Sequence, residues 1–307
     1  MNKKLQTHFT GVLHHLYINP IERCNLACKI CYTKKSSFVL KEKEITDFIN
    51  RYDKIHKVKI ITFCGGEVFL LPYFPKLVNK LTERDIYTQI ITNGTIDRLS
   101  EFSNRSFINL IVSLDGLQHY HDSNRGKGNF QKVIKFLKKV QKMGLHTEIF
   151  SIVTKENFRK ISAFENYLKN HFADIPITYH PRKPPSYLLN HPVSNIFGEL
   201  KNFGFPTKTQ LTKLLQTKKV FPPRNLGCWQ IALFSDGKVY GCCEGTTPIG
   251  NINDPIENLV NELQKRLILW SKTKKSKSCL GCSQPDFVCG LNLISYSFSQ
   301  FFNNKPY

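Results

Sequence analysis

The sequence predicts an α/β protein: an open or partial barrel of six β/α units over residues 1–185, a connector over 186–227, and a small cysteine-rich domain over 228–307. Three observations lead there. Six short apolar runs, at 13–18, 58–63, 87–92, 107–114, 146–153 and 175–180, alternate with longer stretches, and helical spacing of apolar residues marks 41–53, 73–84 and 128–143. The runs are too continuously apolar for a sheet with one wet face, so they fit parallel strands covered on both sides. After residue 180 the alternation stops: Pro181, Pro184, Pro185, Pro192, Pro206, Pro222 and Pro223 interrupt any period, and from Cys228 the cysteines return.

The elements follow in order. Ile45, Phe48 and Ile49 mark the inner face of the first helix. Phe130, Val133, Ile134, Leu137 and Val140 mark that of the third, with Gly144 as its C-cap. One helix, 208–216, is expected inside the connector. Beyond it, Ser235-Asp-Gly237-Lys is a hairpin turn between two short apolar runs within 230–240, and 256–271 reads as a helix.

The chain has 307 residues and a formal net charge of +21, from 44 Lys and Arg against 23 Asp and Glu. The positive residues are spread along most of the chain, as on the solvated helix face of Lys132, Lys135, Lys138, Lys139 and Lys142, so the charge alone does not point to a nucleic-acid partner. No apolar run reaches the roughly 18 residues that span a bilayer, and no signal-peptide h-region opens the sequence. The expected location is therefore the cytoplasm, where thiols stay reduced, and the ten cysteines read as metal ligands rather than disulfides.

Cys24-Asn-Leu-Ala-Cys28-Lys-Ile-Cys31 follows the first strand. Thiolates select zinc or iron–sulfur clusters. Zinc sites take two ligands from each of two loops more often than three from one, so this loop fits one face of a [4Fe-4S] cluster better, with one iron left without a protein ligand.

This C-x3-C-x2-C arrangement, followed by the aromatic Tyr32, resembles the radical S-adenosylmethionine (radical SAM) superfamily, and further pieces follow in order over about 130 residues. Cys64-Gly65-Gly66-Glu67 ends the second run and is similar to the family's G-G-E motif, although Val68 stands where proline is frequent. Thr92-Asn93-Gly94 ends the third run, and Ser113-Leu-Asp115-Gly116 the fourth.

The resemblance implies roles for these residues. Gly65, Gly66 and Glu67 would hold the methionine amino group, and Asn93, Ser113 and Asp115 would supply polar contacts. Arg125 would pair with the methionine carboxylate, while Val153 and Ile30 would lie beside the adenine. It also implies the chemistry: an electron donor such as flavodoxin or ferredoxin, reductive cleavage of S-adenosyl-L-methionine, and a 5′-deoxyadenosyl radical that abstracts hydrogen from a substrate. Cys64 itself reads as a small buried apolar residue.

Cys228, Gly237, Cys242, Cys279, Cys282 and Cys289 resemble the SPASM/twitch extension of the same superfamily. Together the two resemblances imply a partial (β/α)6 TIM-like barrel with a C-terminal SPASM/twitch domain holding one auxiliary [4Fe-4S] cluster. Cys228, Cys242, Cys279 and Cys282 are the implied ligands, with Cys289 competing for a place. A four-cysteine zinc ribbon is the alternative for this second group. Cys243, next to an implied ligand, is a candidate to return a hydrogen atom to a carbon radical, as in peptide epimerases of this group; the alternative is a spare cysteine or an alternative ligand.

The function implied is modification of a peptide or protein, as by a ribosomal-peptide maturase of epimerase or cross-linking type. Only 23 residues precede Cys24, which leaves no room for a leader-binding domain. A small-molecule radical SAM dehydrogenase is an alternative. So is a non-catalytic metal-binding nucleic-acid module, which would leave Gly65-Gly66-Glu67 and Arg125 without a role.

Overall fold

The computed structural model describes residues 13–31, 33, 35–182, 201–217, 219, 230–243 and 247–273. Six strands form in the expected places: β1 (His15–Asn19), β2 (Ile60–Phe63), β3 (Tyr87–Thr92), β4 (Ile108–Ser113), β5 (His146–Val153) and β6 (Ile177–Pro181). All pair in parallel, each with the next in sequence. This is the α/β partial barrel that the alternating pattern predicts. Parallel neighbours require a crossover between successive strands. Helix α1 (Glu42–Asp53) links β1 to β2, and α2 (Phe74–Thr82) links β2 to β3. Helices α3 (Gln118–Arg125) and α4 (Asn129–Lys142) lie between β4 and β5, and α5 (Ile161–His171) between β5 and β6. The β3–β4 crossover departs from the pattern, with only two short 3₁₀ turns at Leu99–Glu101 and Arg105–Phe107.

The helices form where an apolar stripe can be buried. Phe48, Ile49 and Tyr52 of α1, Phe74, Leu77 and Val78 of α2, and Val133, Leu137 and Val140 of α4 enter one continuous core with the outer faces of the strands. Fully burying such a side chain contributes roughly 1.5–3 kcal/mol. Tyr52 also spends its hydroxyl inside the core, donating to the Leu13 carbonyl at 3.0 Å. Helix α3 carries no apolar stripe and was not foreseeable from periodicity; only His121 and Asn124 in it are buried.

The inner face of the barrel has a polar floor. Thr62 Oγ1 accepts from His15 Nε2 at 2.9 Å and donates to Gln89 Oε1 at 2.8 Å, and Asn109 donates to Glu148 Oε1 at 3.1 Å. Burial pushes His15 down to about 4, which keeps it neutral, and pushes Glu148 up to about 7.

The connector helix α6 occupies Lys208–Gln216, as predicted, and is closed by a Thr207–Gln210 capping box. The expected hairpin forms as β7 (Ile231–Phe234) and β8 (Lys238–Tyr240), with Gly237 at φ +77° in the turn. A further strand, β9 (Pro248–Asn251), follows, then α7 (Ile256–Thr273). Strand β7 pairs in parallel with β1, so the hairpin and β9 continue the barrel sheet to nine strands. Leu259, Leu263 and Leu267 of α7 join the main core. Cys228, Cys279, Cys282 and Cys289 lie outside the described residues. Among the described residues no helix is long and apolar enough to cross a membrane.

Candidate functional site

A cavity opens at the carboxyl ends of the barrel strands, where parallel α/β folds place their sites. Its rim is the cysteine loop that follows β1, and long-range contacts hold that loop in place. The backbone after β2 runs beside it, with Gly66 N–H donating to Ile21 O at 2.8 Å and Glu67 N–H to Arg23 O at 3.0 Å. That approach explains both glycines. A Cβ on Gly65 would stand 2.1 Å from Ile21 O, and one on Gly66 would stand 2.0 Å from Arg23 O. Across the loop, the end of α3 supplies two acceptors: the Asn124 carbonyl takes Lys29 N–H at 3.0 Å, and its Oδ1 takes Ile30 N–H at 3.3 Å. Asn93 closes the third side, donating to Asn25 Oδ1 at 2.9 Å.

Cys24, Cys28 and Cys31 all line the cavity and are half-buried. Cys24 Sγ accepts from Leu26 N–H at 3.4 Å and from the Asn93 amide at 3.6 Å. Such N–H···S bonds stabilise thiolates and tune cluster potentials. Burial pushes the Cys24 and Cys28 thiols up, while Lys35 near Cys24 and Arg125 near Cys28 act in the other direction. Among the described residues no three Cys, His, Asp or Glu side chains converge on a single-ion position. A cuboid cluster offers a separate iron to each thiolate and so suits three thiols that line one cavity without meeting at a single point.

Ile30, Gly65, Gly66, Asn93, Ser113, Arg125 and Cys243 also line this cavity, brought together from six parts of the sequence. Three expected contacts stand elsewhere. Glu67 is fully buried, off the lining; its carboxylate accepts from Thr92 Oγ1 at 2.9 and 3.0 Å, Asn93 N–H at 2.8 Å and Phe69 N–H at 3.2 Å. Burial pushes it up to about 7 despite these donors. Asp115 is likewise buried, accepting from Arg125, the Asn124 amide at 2.8 Å and Ile152 N–H at 3.2 Å. Burial acts to raise it, but the adjacent Arg125 guanidinium outweighs this and holds it below the usual carboxylate range. Val153 was expected beside the adenine. Its side chain instead packs outward with Ile161, Tyr179 and Leu214, and Ile152 faces the cavity. Alternation along a strand makes that one-residue difference a change of face.

Cys242 is buried and off the lining, whereas its neighbour Cys243 faces the cavity. Cys64, expected to be buried, is half-buried and on the lining too. Further lining residues were missed: Tyr17 and Asn19 of β1, Phe150 and Ile152 of β5, Arg182 beyond β6, and Asn124. The inward alternation of the strands was the available signal for the first four.

Residues 18–168 match the sequence model of the radical SAM superfamily. That segment is a radical SAM domain. Among curated proteins it is 27% identical over 157 residues to the subtilosin biosynthesis protein AlbA of Bacillus subtilis, covering 48% of this chain and 35% of that one. It is 30% identical over 168 residues to a serine-type anaerobic sulfatase-maturating enzyme of Bacteroides thetaiotaomicron, covering 48% and 41%. The matched part therefore spans less than half the length of these relatives. Over 268 residues it is 27% identical to the uncharacterised protein MJ0907 of Methanocaldococcus jannaschii, covering 79% and 90%. Among solved structures, the anaerobic sulfatase-maturating enzyme anSMEcpe with bound AdoMet superposes with a TM-score of 0.64 at 22% identity, covering 94% of this chain and 92% of that one. SuiB of Streptococcus suis bound to its precursor peptide SuiA gives 0.61 at 17% identity, covering 95% and 75%. At these identities the likeness is one of fold.

The cofactors of a radical SAM domain are a [4Fe-4S] cluster and S-adenosylmethionine, and the cavity fits both. Three cysteine thiols, that of Cys24 with two N–H donors, suit the cluster. The Gly65–Gly66 backbone, the Ser113 hydroxyl and the Arg125 guanidinium suit the polar end of S-adenosylmethionine, and Ile30 and Ile152 suit an apolar base.

Proposed function

We propose that this radical SAM protein is an enzyme that modifies a peptide or protein, abstracting a hydrogen atom within the cavity at the carboxyl ends of its barrel strands. The observation that carries the reading is that one cavity gathers the Cys24–Cys28–Cys31 loop, the Gly65–Gly66 backbone, Arg125 and the Cys243 thiol. When bound, the cluster and S-adenosylmethionine supply one-electron reductive chemistry and a carbon radical.

The residues of this chain do the rest. Cys24, Cys28 and Cys31 hold the cluster. Gly65, Gly66, Asn93, Ser113 and Arg125 hold the amino-acid and ribose part of S-adenosylmethionine, and Ile30 and Ile152 flank its base. Glu67 and Asp115 brace the strand ends from beneath, through Thr92 and Asn93 and through Arg125 and Asn124. Cys243 returns a hydrogen atom to the substrate radical. Cys228, Cys242, Cys279 and Cys282, with Cys289 in competition, would hold an auxiliary cluster. The names of AlbA and of SuiB bound to its precursor peptide favour a peptide over a small alcohol as substrate.

Anaerobic reconstitution tests the scheme. About eight irons per chain, falling by about four in the Cys24→Ala/Cys28→Ala/Cys31→Ala variant, are expected. Reduction with dithionite in the presence of S-adenosylmethionine should release 5′-deoxyadenosine. Supplied with a lysate from cells grown in deuterated medium, split into peptide and small-metabolite fractions, the enzyme should take deuterium into 5′-deoxyadenosine from the peptide fraction. Label arriving from the small-metabolite fraction alone would overturn the peptide reading.

A further inference from the structure

The cavity holds two thiols besides those of the cysteine loop. Cys64 follows β2 and Cys243 follows β8, and both are half-buried on the lining. Both pack against one small cluster, Tyr17, Ala232 and Tyr240, which is separate from the main core. These three residues are strand neighbours: Tyr17 pairs with Ala232 across β1 and β7, and Ala232 pairs with Tyr240 across β7 and β8. The Tyr17 phenol donates a hydrogen bond to the Cys64 sulfur. Phe234 covers the patch, its ring 6.3 Å from Tyr17 and 4.9 Å from Tyr240. Two thiols and two phenols, those of Tyr17 and Tyr240, therefore share one largely apolar wall, and of the two phenols it is Tyr17 that hydrogen-bonds Cys64. S–H and phenolic O–H bonds are of similar strength, so a hydrogen atom passes between such groups with little change in energy.

We propose that Tyr17 and Cys64 form a hydrogen-atom relay that restores the Cys243 thiol after each turnover. The inference rests on the reading of Cys243 as hydrogen donor. In the first step the Cys243 S–H bond breaks, a C–H bond forms on the acceptor, and a thiyl radical remains on Cys243. The Tyr17 O–H hydrogen then passes to Cys243, leaving a phenoxyl radical. The Cys64 S–H hydrogen passes to Tyr17, leaving a thiyl radical on Cys64. One electron from a low-potential one-electron reductant and one proton from solvent re-form the Cys64 thiol. The net result is one electron and one proton delivered as a hydrogen atom. The pairing explains why a thiol precedes Gly65 with a tyrosine hydroxyl aimed at it. A purely apolar filler at 64 would leave that hydroxyl without its acceptor.

The test uses the reconstituted full-length protein, dithionite and S-adenosylmethionine alone in D2O, so that no peptide is needed and 5′-deoxyadenosine is itself the acceptor. The wild type should release 5′-deoxyadenosine carrying deuterium over many turnovers, because the thiols exchange with solvent. Cys243→Ala should abolish the label. Tyr17→Phe and Cys64→Ser, both close in shape to the native residues, should label about one equivalent per chain and then slow by about tenfold or more. Samples of Cys64→Ser frozen during turnover should show a tyrosyl radical by EPR that the Tyr17→Phe/Cys64→Ser variant lacks. Sustained wild-type labelling in both single variants, with no organic radical, would overturn the relay. So would loss of the first labelled equivalent, which would give these residues a direct or structural role. Label persisting in Cys243→Ala removes the donor itself. Absence of 5′-deoxyadenosine from the wild type is a different failure, that of the enzymatic reading beneath the relay.

Discussion

Arg125 grips the buried Asp115 carboxylate with two hydrogen bonds, Nε to Oδ2 at 2.6 Å and Nη2 to Oδ1 at 3.2 Å. The carboxylate side chain has no exposure and the guanidinium little, at 0% and 12%. The pair ties the end of α3, which carries the Asn124 clasp on the cysteine loop, to the end of β4. Arg125→Ala leaves a buried charge without its partner, which costs about 3–5 kcal/mol. Urea unfolding should show a loss of that size. Asp115→Asn on the Arg125→Ala background should recover part of it, since the charge that lacks a partner is then removed.

The glycine pair makes a separate demand. Gly66→Ala forces a methyl to within 2.0 Å of Arg23 O, next to Cys24. That contact is backbone, so the loop must move. We expect the variant to fold with its strands intact by far-UV circular dichroism but to retain little iron after reconstitution. A normal iron content would show that the loop does not depend on this approach.

Ile152 and Val153 separate binding from packing. Ile152→Ala removes apolar surface from the cavity wall and should weaken S-adenosylmethionine binding by about five- to tenfold, roughly 1–1.4 kcal/mol. Val153→Ala should leave that affinity near wild type and cost about 2 kcal/mol of stability through the outer cluster. Equilibrium dialysis and denaturant unfolding measure the two effects.

Glu148 predicts a pH dependence. Its folded-state pKa, raised by burial to about 7 from 4.5, means that the folded protein favours the protonated form. The stability advantage is full below about 4.5 and is lost as pH rises through about 7. Asn109 and the hydroxyl of Tyr87, itself pushed up partly by this carboxylate, face it across the barrel floor. Glu67, also raised to about 7, acts in the same direction, so stability should fall between pH 6 and 8 by on the order of 2–3 kcal/mol in the wild type, and by about half as much in Glu148→Gln. Thermal unfolding across that range checks it.

Much of the fold was legible because its signals are local. Apolar runs placed β1 to β6 within about two residues, and helical spacing placed α1, α2 and α4. Helix α3 was not legible, since its buried residues are His121 and Asn124, held by contacts to Asp115 rather than by an apolar stripe. Strand β9 is four residues long and forms against β8, so no local period announces it.

At the site, the sequence by itself determined the three cysteines, the glycines beside them and the order of the polar residues at the strand ends. Chemistry is carried by residue type and spacing, and those are written along the chain. The tertiary structure decided which of these residues face one another. It turned Val153 outward and Ile152 inward, set Glu67 and Asp115 as braces beneath the cavity, and moved Cys64 from core filler to a cavity thiol beside Tyr17. It also laid β7 against β1, which puts Cys243 in the same cavity as Cys24. Those outcomes depend on strand register and on pairings across 200 residues of chain, as with Tyr17 and Ala232, and no local pattern encodes them.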